Sequence, residues 1–140
     1  MQSARLAKIL LVAVVAVIAF AAVQMTRQWL ATQRAKNLKN PVAAAPAAIE
    51  AGRQLYGLHC EKCHGIKGDG KGEKAGELFE EPADFTNAKQ MNGLVDGELF
   101  VPIMEGKKPM PAFGDKLSDE QAWQLVDYVR TFARSQTQAP

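Results

Sequence analysis

Eighteen consecutive residues, Ile9 to Thr26 (ILLVAVVAVIAFAAVQMT), carry no charge and are apolar on every side. At about 1.5 Å per residue they form roughly 27 Å of helix, close to the hydrocarbon thickness of a bilayer. A helix apolar all round cannot be the half-buried helix of a small domain, and the domain available here is small, residues 49–140 being only 92 in number. The run therefore separates a leader from a head. Residues 1–26 read as a transmembrane anchor or a cleavable export signal. Ala19-Phe20-Ala21 is a passable small-x-small cleavage site, whereas Trp29 stands where an interfacial aromatic belongs and basic residues follow the run. Positive charge just after a cleavage site resists export, and the same charges oppose the usual orientation bias of an anchor. The anchor is the preferred reading, and both readings carry the head across a membrane. With no cysteine near the N-terminus, a lipid anchor is excluded.

Charge follows the same division. The first 48 residues hold six basic side chains (Arg5, Lys8, Arg27, Arg34, Lys36, Lys39) and no acidic one, while residues 49–140 hold eleven basic and fifteen acidic ones. The formal charge of +2 hides a basic leader joined to a mildly acidic head. A nucleic-acid-binding face is therefore not expected. Residues 27–40, RQWLATQRAKNLKN, form a basic juxtamembrane segment that either continues the helix, lies along the membrane or is a solvated spacer. Pro41 to Ala48, PVAAAPAA, reads as a linker, because two prolines interrupt helix and alanines supply no core. The head is then residues 49–140.

Both cysteines of the chain fall in Cys60-Glu61-Lys62-Cys63-His64, the C-x-x-C-H pattern of covalent haem c attachment. Two thiols three positions apart on a helical turn can add to the two vinyl groups on one edge of a porphyrin. The next residue then lies under the ring, where His64 offers a nitrogen to iron, and its other nitrogen needs an acceptor to hold the imidazole. A zinc site would need four ligands, and outside this stretch there is only His59 to add. A thioredoxin-type pair expects a βαβ surround, which the head lacks. A Cys60–Cys63 disulfide would close too small a loop to stabilise much.

From about Ile49 to Phe132 the head resembles a class I c-type cytochrome of the bacterial single-haem kind, through GRQLYGLHCEKCHGIKGDGKG, PADFT and DGELFVPIMEGKKPMPAFGDKLSDEQAWQLVDYVRTFA. The resemblance implies an all-α cytochrome c fold of three main helices around one covalent haem, here preceded by one transmembrane helix. It also implies His on one side of the iron and Met on the other, with the carbonyl of a proline, here Pro82, accepting the His64 Nδ1 proton.

His59 neighbours Cys60 and cannot reach across the ring, so the second axial ligand is sought among Met91, Met104 and Met110. Met104 lies in a helix over Gly97–Glu105, opened by Asp96 and closed by Gly106, where its i, i+4 spacing from Phe100 makes it core filler. Met110 stands between Pro109 and Pro111, where regular structure is barred and the backbone is stiff; it also matches the family's ligand loop. Met110 is the preferred ligand.

A first helix is expected over about Ile49 to His64 and a last over about Asp119 to Ala133. Ser118 and Gln121 form a capping box for the latter, and Ala122, Leu125, Val126, Val129 and Phe132 form its apolar stripe, flanked by Trp123 and Tyr128. In the family the two helices cross at glycine and aromatic positions, which here match Gly52, Tyr56, Leu125 and Tyr128. Gly65 to Gly76 is expected as a flexible wrap; it lacks the preceding strand and the G-x-x-x-x-G-K-[ST] pattern of a phosphate loop.

The function implied is electron transfer between respiratory or photosynthetic membrane complexes. Partners would be a quinol-oxidising complex, a terminal oxidase, a reductase or a photosynthetic centre, with the lipid bilayer holding the N-terminal helix in the bacterial cytoplasmic membrane and the head on the periplasmic side. The alternative is a haem peroxidase or small-ligand sensor with a labile distal Met. No distal histidine offers itself for that chemistry.

Overall fold

A computed structural model describes residues 2–137, in which every regular element is helical. The chain divides into two compact units, residues 1–34 and 35–140. The first is most of α1 (Gln2–Asn37). Its large apolar side chains are exposed all round, Leu10 and Phe20 each at 66%, as expected of either a membrane anchor or an export signal. Over Lys8–Asn37 it is long and apolar enough to cross a membrane. Residues 27–37 thus continue the helix rather than leaving it, and 36 residues give about 54 Å of length.

The second unit begins on the last turn of α1. Ala35 is buried, and a methyl group on Gly97 would lie 2.0 Å from its carbonyl oxygen and 2.7 Å from Leu38 Cβ. Leu38 and Val42 pack on the core, and the Asn40 side-chain amide donates to Asp127 Oδ1 at 2.8 Å. Residues 35–40 were expected to continue the helix, lie along the membrane or serve as spacer, and residues 41–42 to begin a linker. Both stretches are packed against the head because two small residues, Ala35 and Gly97, let the backbones approach.

Helix α2 (Pro46–His59) starts three residues before the expected Ile49, with proline at its first turn, where a missing N–H costs nothing. It does not run unbroken to His64. The chain bends at Cys60, and a separate turn, α3 (Glu61–His64), carries the attachment motif. A short α4 (Ala88–Asn92), not expected from the sequence, is capped by the Asn87 side chain, which accepts from Gln90 N at 3.1 Å. Helix α5 (Asp96–Glu105) ends at Gly106, whose φ of +77° suits glycine. Its start differs from expectation: Val95 is the cap position, the Glu98 carboxylate accepts from Val95 N at 3.0 Å, and Asp96 turns instead to Arg130.

Helix α6 (Asp119–Thr137) has the expected capping box: Ser118 N donates to Gln121 Oε1 at 2.9 Å, and Gln121 N to Ser118 Oγ at 3.2 Å. Ala122, Leu125, Val126 and Val129 are buried as the stripe requires. Trp123 is no flank, being 5% exposed with its ring stacked on Phe100 at 4.0 Å. α2 and α6 cross where expected. A methyl group on Gly52 would sit 2.0 Å from Gln124 O and 2.9 Å from Tyr128 Cβ, and the Tyr56 and Tyr128 rings meet edge-on at 5.3 Å.

Candidate haem site

Cys60 ends α2, and its carbonyl accepts from both Cys63 N at 3.1 Å and His64 N at 2.9 Å. That single turn brings the two thiols and the imidazole together. Burial pushes the Cys60 thiol up to about 12, with the Cys63 thiol a second, smaller cause. His64 is 9% exposed. Desolvation lowers its pKa, opposed in part by its backbone hydrogen bond, so the ring is neutral at physiological pH.

The acceptor for His64 Nδ1 is the carbonyl of Ala83, at 3.2 Å, not that of Pro82. A carbonyl only accepts, so Nδ1 carries the proton and Nε2 keeps its lone pair. The physical reason for the one-residue difference lies in the glycine loop: the Pro82 carbonyl faces Gly70, where a methyl group would stand 2.6 Å from it. The Phe85 ring also stacks on His64, with centroids 4.7 Å apart and planes 20° from parallel. Phe85 lies within PADFT, where nothing in the sequence alone assigns it a part.

The loop after His64, expected as a flexible wrap, is tied back to α3 by hydrogen bonds. Gly70 N donates to His64 O at 2.9 Å, Gly72 N to Cys63 O at 3.1 Å and Lys74 N to Lys62 O at 2.8 Å, which satisfies the carbonyls left open at the end of α3. Tyr56 Oη donates to Gly65 O at 2.7 Å and so ties α2 to the same turn. Gly68 has φ +71° and abuts the Phe132 ring.

The three candidate methionines separate. Met91 is 2% exposed and is core filler. Met104 and Met110 are both half-buried against the core, as is Cys60. Met110 closes a tight turn with Lys107, N to O at 3.1 and 2.7 Å in the two directions. Phe113 N and Gly114 N then donate to Ile103 O and Met104 O on α5, fixing the loop on both sides of Pro111. Behind it, Arg130 donates to Asp96 Oδ1 at 2.9 Å, to Leu94 O at 2.6 Å and to Met91 O, joining α6, α4 and the start of α5. That clamp was missed from sequence, although an arginine within an apolar stripe is a recognisable signal.

Two thiols on one turn, a neutral imidazole with a fixed tautomer beside them and a partly apolar surround fit haem c in every respect that the chain itself can supply. Cys60 and Cys63 would hold it by thioether bonds and His64 would face its iron. Bound there, it supplies a metal that gains and loses one electron. The chain's own part is to exclude water from His64, hold its ring plane through Ala83 and Phe85, and keep its proton at Nδ1.

An all-helical head bearing such a turn defines a c-type cytochrome. This chain belongs to the cytochrome c family described as "Cytochrome C oxidase, cbb3-type, subunit III", which matches residues 47–129, and its cofactor is covalently bound haem c. Among its relatives, quinohemoprotein alcohol dehydrogenase ADH IIB of Pseudomonas putida is 34% identical over 104 residues, 71% of this chain and 13% of that protein. Thiosulfate dehydrogenase of Allochromatium vinosum is 34% identical over 93 residues, 64% of this chain and 33% of the relative. The chain thus spans 13% and 33% of the length of these curated relatives. A solved structure titled "KustC0563 c-type cytochrome" is 33% identical, with a TM-score of 0.50 over 58% of this chain and 95% of its own.

Proposed function

We propose that this chain is a membrane-anchored, single-haem electron carrier with His64 and Met110 as axial ligands. It would work between a quinol-oxidising complex and a terminal oxidase, reductase or photosynthetic centre, either alone or as a subunit of one of them. Its helix α1 would stay in the cytoplasmic membrane uncleaved, with the head on the periplasmic side. The observation that carries the reading is the buried His64, on the same turn as Cys60 and Cys63, with its Nδ1 at the Ala83 carbonyl. Met110 supports it, since a half-buried thioether on a doubly fixed turn would lose little freedom on binding iron, and iron so ligated would have no position open to a substrate. Met ligation raises the reduction potential, as suits a carrier.

The test is to produce the full chain with haem-maturation machinery and to record oxidised and reduced spectra of membrane and soluble fractions. A c-type reduced band in the membrane pellet, with a weak far-red oxidised band lost in Met110→Ala and kept in Met104→Ala, is the expected result. Colour confined to the soluble fraction makes residues 1–21 a discarded signal. A high-spin, five-coordinate wild type replaces the carrier with a ligand-binding or peroxidatic haem.

A further inference from the structure

Phe79 is 81% exposed, more than any other large apolar residue described. It stands between exposed Glu77 and the exposed pair Glu80 and Glu81. The segment is tied at both ends. Glu77 N and Leu78 N donate back to Lys74 O and Ala75 O, and at the far side Ala83 O faces His64 while Phe85 N donates to Gly68 O. Between them, from Phe79 to Asp84, no backbone N–H donates a hydrogen bond among the described residues. The chain therefore holds out an aromatic side chain that its own fold does not use, on a backbone that can adjust around it.

Three carboxylates within five residues, grouped on one aromatic, define their own complement: an apolar pocket with Lys or Arg at its rim. Large aromatics that fill such pockets are the anchors that carry binding energy, and charges around them steer approach. Location gives the contact a use. Four residues of extended chain span at most about 14 Å, so a molecule seated on Phe79 reaches the side of the head where Ala83 meets His64. Leu58 and Ile66 are also exposed, at 72% and 71%, but neither has acids grouped about it in this way.

We propose that Phe79, with Glu77, Glu80 and Glu81, is the docking site for a redox partner protein whose receiving surface is an apolar pocket bordered by basic side chains. The proposal rests on the electron-carrier reading above and adds to it the face used and the charge of the partner.

The experiment mixes full-chain holoprotein in detergent with membranes of the source cell from which this gene has been deleted, and follows haem reduction and oxidation against protein concentration and salt. The variants are Phe79→Ser and the triple Glu77→Gln, Glu80→Gln, Glu81→Gln, with Ile66→Ser as the exposed-apolar control. Phe79→Ser should slow exchange in at least one direction by about tenfold or more, and the triple variant should slow it while flattening its salt dependence. Both should keep the wild-type spectrum, midpoint potential and rate with ferricyanide, and Ile66→Ser should stay within about twofold of wild type. Unchanged exchange in Phe79→Ser, or faster exchange in the triple variant, overturns the proposal. So does a self-association of the wild type that Phe79→Ser abolishes without altering exchange, because the occupant is then a second copy. If the wild type exchanges electrons with ferricyanide but with neither side of the membrane chain, the carrier reading itself falls, and the docking site with it.

Discussion

Gly52 shows how narrowly single residues set the approach of α2 to α6. A methyl group there meets backbone, Gln124 O at 2.0 Å, which cannot step aside as a side chain would. Gly52→Ala should therefore cost at least the 1–3 kcal/mol of ordinary overpacking, or roughly 4 °C or more in melting temperature of the holoprotein. Gly76→Ala, with nothing within 4 Å, should change it little. Tyr56→Phe removes one of two donors to Gly65 O, which keeps Gly68 N at 3.0 Å, so the loss should be about 0.5–1.5 kcal/mol by denaturant titration. The crossing was legible in advance because glycine inside a helix lowers its stability and so needs a reason. Ala83 was not, because its contribution is a backbone carbonyl. Every residue carries one, and which of them faces His64 depends on how the Gly70 turn sets the chain.

Elements are held by contacts of a different kind. The Arg130 guanidinium joins α6 to two carbonyls around α4 and to Asp96 at the head of α5. Lysine has the charge without the planar fork, so Arg130→Lys should lose about 1.5–3 kcal/mol of stability, the range for hydrogen bonds to a charged group. Because α5 feeds the Met110 turn, the weak far-red band that the proposed Met110 ligation would give should also broaden or decline in that variant. Ahead of α4, Asp84 accepts from Thr86 Oγ1 at 2.6 Å and Thr86 N at 2.8 Å, and the Thr86 side chain, the largest cause, lowers its pKa. A lowered folded pKa means stability that is present above the unfolded value of about 3.9 and lost as pH falls through the folded one. Asp84→Ala should thus melt slightly below wild type at neutral pH, by no more than about 0.5 kcal/mol at so exposed a place. The gap should close on acidification below pH 4 or so. The capping box and stripe of α6 could be read directly, since local chemistry decides them. The packing of residues 35–42 could not: Ala35 and Asn40 look like spacer until Gly97 and Asp127, far along the chain, give them partners.

At the scale of the whole molecule, the head is small and its best-buried side chains lie in one cluster beside the attachment turn. A chain of this size has a limited core of its own. Produced without haem, it should lose most far-UV helical signal from residues 46–137 and show no cooperative melt, while α1 remains helical in detergent; a sharp melt of haem-free chain would refute this. The division into an apolar leader and a helical haem head was legible because composition and one motif carry it. How the leader's end joins the head was not, because that depends on pairs distant in sequence.

The bonds from Gly70, Gly72 and Lys74 back to three successive carbonyls of α3 also bear on how such chains diverge. One added residue between His64 and Gly70 would shift all three out of step at once, whereas from Phe79 to Glu81 the backbone N–H groups have no partners to lose among the described residues. Insertions and deletions among related heads should therefore collect in that second stretch and spare the first, so that lineages differ in the length and tip of one loop while the turn that receives the cofactor keeps a constant count of residues.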